Sequence, residues 1–382
     1  VSAEPMLPYG RQSIDETDVE AAVAALRSEW LTTGPEVERF EAAVAARAGV
    51  PHAVSVTSGT AALHVAYAAM EVGPGDEVVT TPLTFVATAA AAALQGATVV
   101  FADVDPGTGN LDPRAAEAAV TERTRVVTGV DYAGVPVDAA AFRDLADRKG
   151  LLFLEDAAHS IGSTLDGHPV GSLADLTTYS FFPTKNLTTA EGGAVVTADD
   201  GLAARARSFK NHGLVRDRAA QRYPDEGPWH QEVHAFGLNY RLPDVLAAVG
   251  TSQLARLDAF VARRAEVKAA YDEAFRDLDE VELPVRPEGA APAWHLYPLR
   301  VPADRRRAIF ESLRAQGVGV QVNYIPAYWH PVFEDLGYRR GQCPVAEDYY
   351  RREISLPMFP GLTDADVERV VHATRHALAT AR

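Results

Sequence analysis

The sequence predicts an α/β protein, with a large, mainly parallel-sheet unit over residues 1–250 and a small α+β unit over 251–382. Between Ala53 and about Val196, short β-branched runs alternate with alanine-rich stretches of helical period. Those strands are apolar throughout, which marks a parallel sheet covered on both faces. Beyond residue 250 the texture changes to charged helices, and Pro284, Pro287 and Pro292 punctuate the chain.

Each element has its own signal. Ala53–Val56 reads as a strand, followed by a helical Ala/Leu/His pattern from Thr60 to Met70. Gly73-Pro74-Gly75-Asp76 is a turn into the strand Glu77–Thr80. Phe85–Leu94 reads as a helix, Thr98–Phe101 as a strand, Pro113–Val120 as a helix and Arg125–Val127 as a strand. Asp138–Lys149 is helical and Leu151–Leu154 extended; Thr177–Phe181 and Gly193–Thr197 are two further strands with a short connection. Leu242–Leu278 reads as one long helical stretch. A strand at His295–Val301, a helix at Asp304–Gln316, an extended piece at Gly319–Tyr324 and helices near Cys343–Arg352 and Asp364–Arg382 complete the chain.

Composition narrows the function classes. Lys plus Arg total 36 and Asp plus Glu 52, a net charge of −16. Such a chain is a poor general binder of nucleic acid or anionic membrane, and neither partner is expected. The single cysteine, Cys343, excludes an intrachain disulfide and a multi-cysteine metal cluster. The longest apolar run, near Val86–Leu94, ends at Gln95-Gly96, far short of the roughly 18 residues of a membrane span. With no basic-then-apolar leader at the start, the expected location is cytoplasmic.

Chemistry in such sheets gathers at the carboxyl ends of the strands. Ser58-Gly59-Thr60 closes the first strand and opens a helix, where N–H groups and hydroxyls make a phosphate cup. Asp156 follows an apolar strand, in a setting dry enough for a strong charge-assisted hydrogen bond, with His159 just beyond it. Lys185 follows Ser180-Phe181-Phe182-Pro183-Thr184; poor solvation there lowers an amine's pKa, as a Schiff-base lysine requires. Phe85 stands at the same sheet edge, where an aromatic stacks on a flat ring. Singly, each has a plainer reading: a helix cap, a capping aspartate, a core histidine, a snorkelling lysine, a core aromatic. Together they are the parts for pyridoxal 5′-phosphate: an amine for its aldehyde, a carboxylate for its ring nitrogen and donors for its phosphate. No HExxH, nucleophile elbow, Walker loop or Rossmann glycine triad competes.

Across nearly its whole length the chain resembles the sugar aminotransferases of the DegT/DnrJ/EryC/StrS family, pyridoxal-phosphate enzymes of fold type I. The resemblance is carried by Trp30–Pro35, Ser58–Leu63, Thr81–Thr88, Thr188–Ala194, Gly237–Leu242, Trp294–Pro298 and Ile354–Leu362. Within the family it is similar to the subgroup that aminates C4 of UDP-linked 4-keto-6-deoxy-N-acetyl sugars. The resemblance implies that Lys185 carries the cofactor and shuttles the proton. It implies that Asp156 pairs with the ring nitrogen, His159 lies near the 3′-oxygen and Phe85 stacks on the ring. Ser58, Gly59, Thr60 and Ser180 hold the phosphate, and Asn239 reaches it from the neighbouring subunit of a homodimer. Thr32 and Thr33 border the sugar pocket, and Tyr328 and His330 are candidates to line it; Arg11 and Arg241 are candidates for the diphosphate. The chain departs from many relatives at Asn323, where they carry histidine, and from that subgroup at Phe182 and Asn186.

The implied reaction is a two-stage transamination. L-Glutamate gives its amino group, the cofactor passes through pyridoxamine 5′-phosphate, and the keto carbon of a nucleotide-linked 4-keto-6-deoxy hexose receives it. A 3-keto sugar or a ketocyclitol is the alternative acceptor. Lys185 disfavours a pyridoxamine-dependent dehydratase, in which a histidine replaces that lysine. A non-catalytic, cofactor-binding regulator is the alternative of a different class.

Overall fold

Seven of the apolar runs assemble into one sheet in a computed structural model that describes residues 5–381. In chain order these are β1 (His52–Val56), β2 (Glu77–Thr80), β3 (Thr98–Phe101), β4 (Thr124–Val130), β5 (Leu152–Asp156), β6 (Leu176–Ser180) and β7 (Gly193–Thr197). Their spatial order is β1-β7-β6-β5-β4-β2-β3. Only β7 runs antiparallel to its neighbours, so the carboxyl ends of the other strands share one edge. Almost every residue of the central strands is buried, as strands covered on both faces must be.

Helices cover the sheet: α1 (Glu16–Arg27), α2 (Pro35–Ala48), α3 (Gly59–Ala69), α4 (Ala87–Leu94), α5 (Pro113–Ala119), α6 (Ala139–Lys149) and α7 (Asp200–Phe209). Local chemistry sets their ends. Asp15 and Asp18 form a reciprocal capping box at the start of α1. Gly150 ends α6 with φ 67°, a left-handed turn that glycine adopts without Cβ strain. The chain then enters β5 and delivers Asp156 to the sheet edge. Phe85 lies two residues before α4 rather than inside the helix expected from Phe85.

The single helix expected over Leu242–Leu278 is two, α8 (Asp244–Ala255) and α9 (Leu257–Phe275), bent by 58°. The break falls at Arg256 (φ −106°, ψ 1°), whose guanidinium turns to pair with Asp15 and Asp18 of the α1 cap. No single helix among the described residues is long and apolar enough to cross a membrane. Beyond α9 come β8 (Tyr297–Arg300), α10 (Arg306–Ala315), α11 (Pro331–Asp335), α12 (Pro344–Arg352), β9 (Glu353–Leu356) and α13 (Asp364–Thr380). Strands β8 and β9 pair antiparallel. The end expected for the last helix, Arg382, lies outside the described residues.

A separate apolar cluster sits under this later region, built from Tyr271, Phe275, Leu299, Ile309, Leu313, Ile354, Val370 and their neighbours. Leu7 belongs to it as well, bridged to Val318 through Leu7 N–H to the Gly317 carbonyl at 2.9 Å. The same segment continues to Tyr9, whose carbonyl accepts from Met358 N–H at 3.1 Å.

Candidate active site

A cavity of about 520 Å³ opens at the carboxyl edge of the sheet. Three strand ends and one turn build it. Ser58, after β1, caps α3 by accepting from Ala61 N–H at 3.0 Å. Gly59 follows, packed against Ser180 at the end of β6. A Cβ on Gly59 would lie 2.7 Å from the Ser180 Cβ and 2.8 Å from its Oγ. Glycine is therefore needed for α3 to bring its N-terminus onto the Ser180 hydroxyl. Ser58, Gly59, Thr60 and Ser180 all line the cavity.

Asp156 ends β5 and is buried. Its carboxylate accepts from the Thr88 hydroxyl at 2.6 Å and from Ala158 N–H at 3.2 Å. Burial still raises its pKa, with these hydrogen bonds and the Lys185 charge pulling the other way. Lys185 stands on the turn after β6, its N–H donating to the Phe182 carbonyl at 2.9 Å. Burial lowers its ammonium to about 8; Asp156 opposes that shift and Arg264 adds to it. The uncharged amine, which attacks an aldehyde, is thus far more populated near neutrality than in an ordinary lysine.

His159 lines the cavity with its Nε2 3.1 Å from the Tyr324 hydroxyl and its ring centroid 4.3 Å from that of His295. Burial and the Lys185 charge hold it well below the ordinary histidine range, so it is neutral. Phe85 is 57% exposed and lines the mouth, edge-on to Tyr324 at 6.1 Å.

Other expected residues lie elsewhere. Thr32, Thr33 and Asn239 are exposed and do not line the cavity of the single chain. His330 is half-buried at the start of α11, also off the cavity. Tyr328 is likewise off the cavity: it is fully buried, its hydroxyl donates to Glu347 at 2.7 Å, and its ring packs on Phe101. Arg241 is engaged by Asn211 at 2.7 Å. Conversely, Tyr9, Thr88, Thr178, His295, Asn323 and Tyr324 line the cavity and were not singled out as site residues. The Thr81–Thr88 and Trp294–Pro298 stretches and the Asn323 departure were signals at or beside Thr88, His295, Asn323 and Tyr324.

Three buried polar atoms around the cavity lack partners among the described residues: His159 Nδ1, Thr178 Oγ1 and His295 Nδ1. Buried polar atoms are rarely left so. An amine, a buried carboxylate, a hydroxyl-and-helix cup that no side chain fills and an aromatic at the mouth match pyridoxal phosphate group for group. No cluster of three or more His, Cys, Asp or Glu among the described residues is placed to hold a metal ion.

A mainly parallel seven-stranded sheet, carrying this lysine and carboxylate at its carboxyl edge, defines the class: a pyridoxal-phosphate-dependent aminotransferase of fold type I. Residues 12–375 match the DegT/DnrJ/EryC1/StrS aminotransferase family, and the chain belongs to it as a sugar aminotransferase. The spore coat polysaccharide biosynthesis protein SpsC of Bacillus subtilis is 40% identical over 375 residues, 97% of this chain and 96% of that protein. Helicobacter pylori PseC, an aminotransferase involved in the biosynthesis of pseudoaminic acid, superposes with a TM-score of 0.92 at 32% identity, over 99% of this chain and 100% of that one. S. venezuelae DesV, solved in complex with a ketimine intermediate, gives 0.89 at 34% identity, over 98% and 99%. Spr1654 of Streptococcus pneumoniae, at 28% identity, has been solved in PMP and PLP forms. The cofactor of this family is thus pyridoxal phosphate, cycling through pyridoxamine phosphate.

Proposed function

We propose that this enzyme moves an amino group from L-glutamate to C4 of a nucleotide-linked 4-keto-6-deoxy hexose, the UDP-linked substrate of the pseudaminic acid pathway being the first candidate. The observation that carries the amino-transfer chemistry is the desolvated Lys185 amine facing the same cavity as the buried Asp156. The likeness to PseC supports the acceptor class. Pyridoxal phosphate, when bound, supplies the electron sink and carries the amino group between the two substrates. Lys185 would hold it, and as a free amine would take the proton that leaves the α-carbon of the amino donor in the first half-reaction and deliver one to the acceptor carbon in the second. Asp156, fixed by Thr88 and Ala158, holds a proton on the ring nitrogen. Ser58, Gly59, Thr60 and Ser180 would hold the phosphate, with His159 and Phe85 the cavity residues that would contact the ring. Asn239, on the exposed segment before α8, completes the phosphate site of a partner subunit, and Thr32 and Thr33 border the sugar.

The test is an absorbance experiment. Excess L-glutamate bleaches the yellow band of the loaded enzyme, and the glutamate is then removed. UDP- and dTDP-linked 4-keto-6-deoxy hexoses and a 3-keto analogue are added one at a time. Return of the band with a 4-keto sugar is the expected result. Return only with the 3-keto analogue moves the acceptor, and return with none of these sugars makes a ketocyclitol the next acceptor to add. A band that ignores both glutamate and glutamine overturns the proposal in favour of a regulatory role.

A further inference from the structure

Arg264 of α9 is fully buried and does not line the cavity, yet its guanidinium reaches the main chain behind the wall. Its Nη1 donates to the carbonyls of Trp294 and His295 at 3.3 Å each and of Met358 at 2.9 Å. His295 lines the cavity with its ring 4.3 Å from that of His159, and Met358 N–H donates to the carbonyl of Tyr9, another wall residue. Trp294 takes φ 41°, a left-handed backbone that a bulky side chain adopts only under constraint. Ala293 N–H on Ser163 Oγ at 2.8 Å, His295 N–H on the Ala133 carbonyl at 2.8 Å and Lys268 over the Trp294 ring at 4.8 Å supply that constraint, together with Arg264 one turn away from Lys268 on the same helix. All three Arg264 acceptors are carbonyls, which satisfy an N–H but carry no net charge. Burial lowers the guanidinium only to about 10, so a full positive charge sits behind the wall at neutral pH. An apolar side chain of that size would pack there without the cost of a buried, unpaired charge.

We propose that Arg264 is a positioning residue of the amino transfer: held behind the cavity wall by three carbonyls, its unneutralised charge sets the potential in which the Lys185 amine works. The inference rests on the aminotransferase reading above and extends it to a residue outside the cavity. The titratable groups that share the cavity with Lys185 are Asp156 at the end of β5, His159 beyond it, His295 before β8, Glu191 after the lysine's own turn, and Tyr9 and Tyr324. Burial and neighbouring cations keep both histidines neutral, and burial keeps both tyrosines protonated. Asp156 favours the ammonium, and Arg264 is the cation that opposes it. A like charge in the same dry region disfavours a second cation, which frees the amine for attack and for proton transfer.

The experiment follows, against pH, the rate at which cofactor-free protein gains the yellow band on mixing with pyridoxal phosphate. Arg264→Gln keeps an amide that can donate to the carbonyls and removes the charge, Arg264→Met removes both, and Arg264→Lys keeps the charge. The expected result is a midpoint near 8 in wild type and in the lysine variant, raised by about one pH unit in the two neutral variants. Near neutrality the neutral variants then capture the cofactor about tenfold more slowly, and their rates converge on wild type at high pH. A residue that only holds the wall together would slow capture equally at every pH, and that result overturns the inference. So does an unmoved midpoint in either neutral variant, a lysine variant that behaves like the neutral ones, or a chain that folds with neither glutamine nor methionine. A wild type that gains the band but ignores both glutamate and glutamine overturns the aminotransferase reading instead.

Discussion

At the residue scale the site turns on one amine. Lys185→Ala removes the only amine that lines the cavity among the described residues and is expected to abolish both bleaching by glutamate and turnover, measured by absorbance and by 2-oxoglutarate release. A retained rate would sink the mechanism. Burial sets the working pH as well: a lysine depressed to about 8 is protonated and inert below that value and nucleophilic above it. The rate at which cofactor-free protein captures pyridoxal phosphate should therefore rise with pH through a midpoint near 8. A flat profile between pH 6.5 and 9.5 would show that the lysine is not the titrating group. The cavity positions of Lys185, Asp156, Ser180 and the Ser58-Gly59-Thr60 turn were legible because each stands at or just beyond the end of an expected strand, and strand ends are where such folds place chemistry. Tyr9, His295 and Tyr324 were not singled out, because long-range packing rather than local pattern brings them to the cavity. Tyr328 shows the same limit from the other side, since a tyrosine reads alike in local pattern whether its hydroxyl faces a pocket or, as here, a buried Glu347.

At the element scale, the segment carrying Thr32 and Thr33 is held by the start of α8. The Asp244 carboxylate accepts from Gly34 N–H at 2.8 Å and Glu36 N–H at 3.0 Å, supplying from another helix the cap that α2 lacks. Asp244 N–H in turn donates to the Leu31 carbonyl at 3.0 Å. Asp244→Ala leaves two N–H groups without acceptors in a buried setting and should cost about 2 kcal/mol, seen as a lower urea midpoint. Asp244→Asn should recover part of it, and a midpoint unchanged in the alanine variant would refute the cap. Strands and helices of the sheet region read well from the sequence because their period is local. The break at Arg256 did not, for the carboxylates that Arg256 meets there, Asp15 and Asp18 at the start of α1, are far away in the chain.

At the scale of the molecule, the single chain leaves much apolar surface between α7 and α8. Tyr223, Trp229, Val233 and Phe236 are exposed, Phe236 at 98%, and so are Trp30 and Leu31. Exposed aromatics in such number mark an interaction surface, and a second copy of the chain, taking Asn239 with it, is the proposed occupant. Phe236→Asp should shift the sedimenting species from dimer toward monomer and weaken cofactor binding together; a dimer that sediments unchanged would place the interface elsewhere. Nothing in the local sequence pattern points to Phe236, whose value lies in what is absent around it.

The Leu7 strand bridge has a mechanical consequence. The smaller core is not contiguous in sequence, for it is completed by a segment whose other end reaches the cavity at Tyr9. Any rocking of β8, β9 and α10 on the large sheet pulls on that segment through Gly317 and Met358. The N-terminal stretch is thus a tie rod between the later core, at Leu7, and the cavity wall, at Tyr9. Cutting the chain at residue 250 would sever lobe from rod and leave neither piece whole.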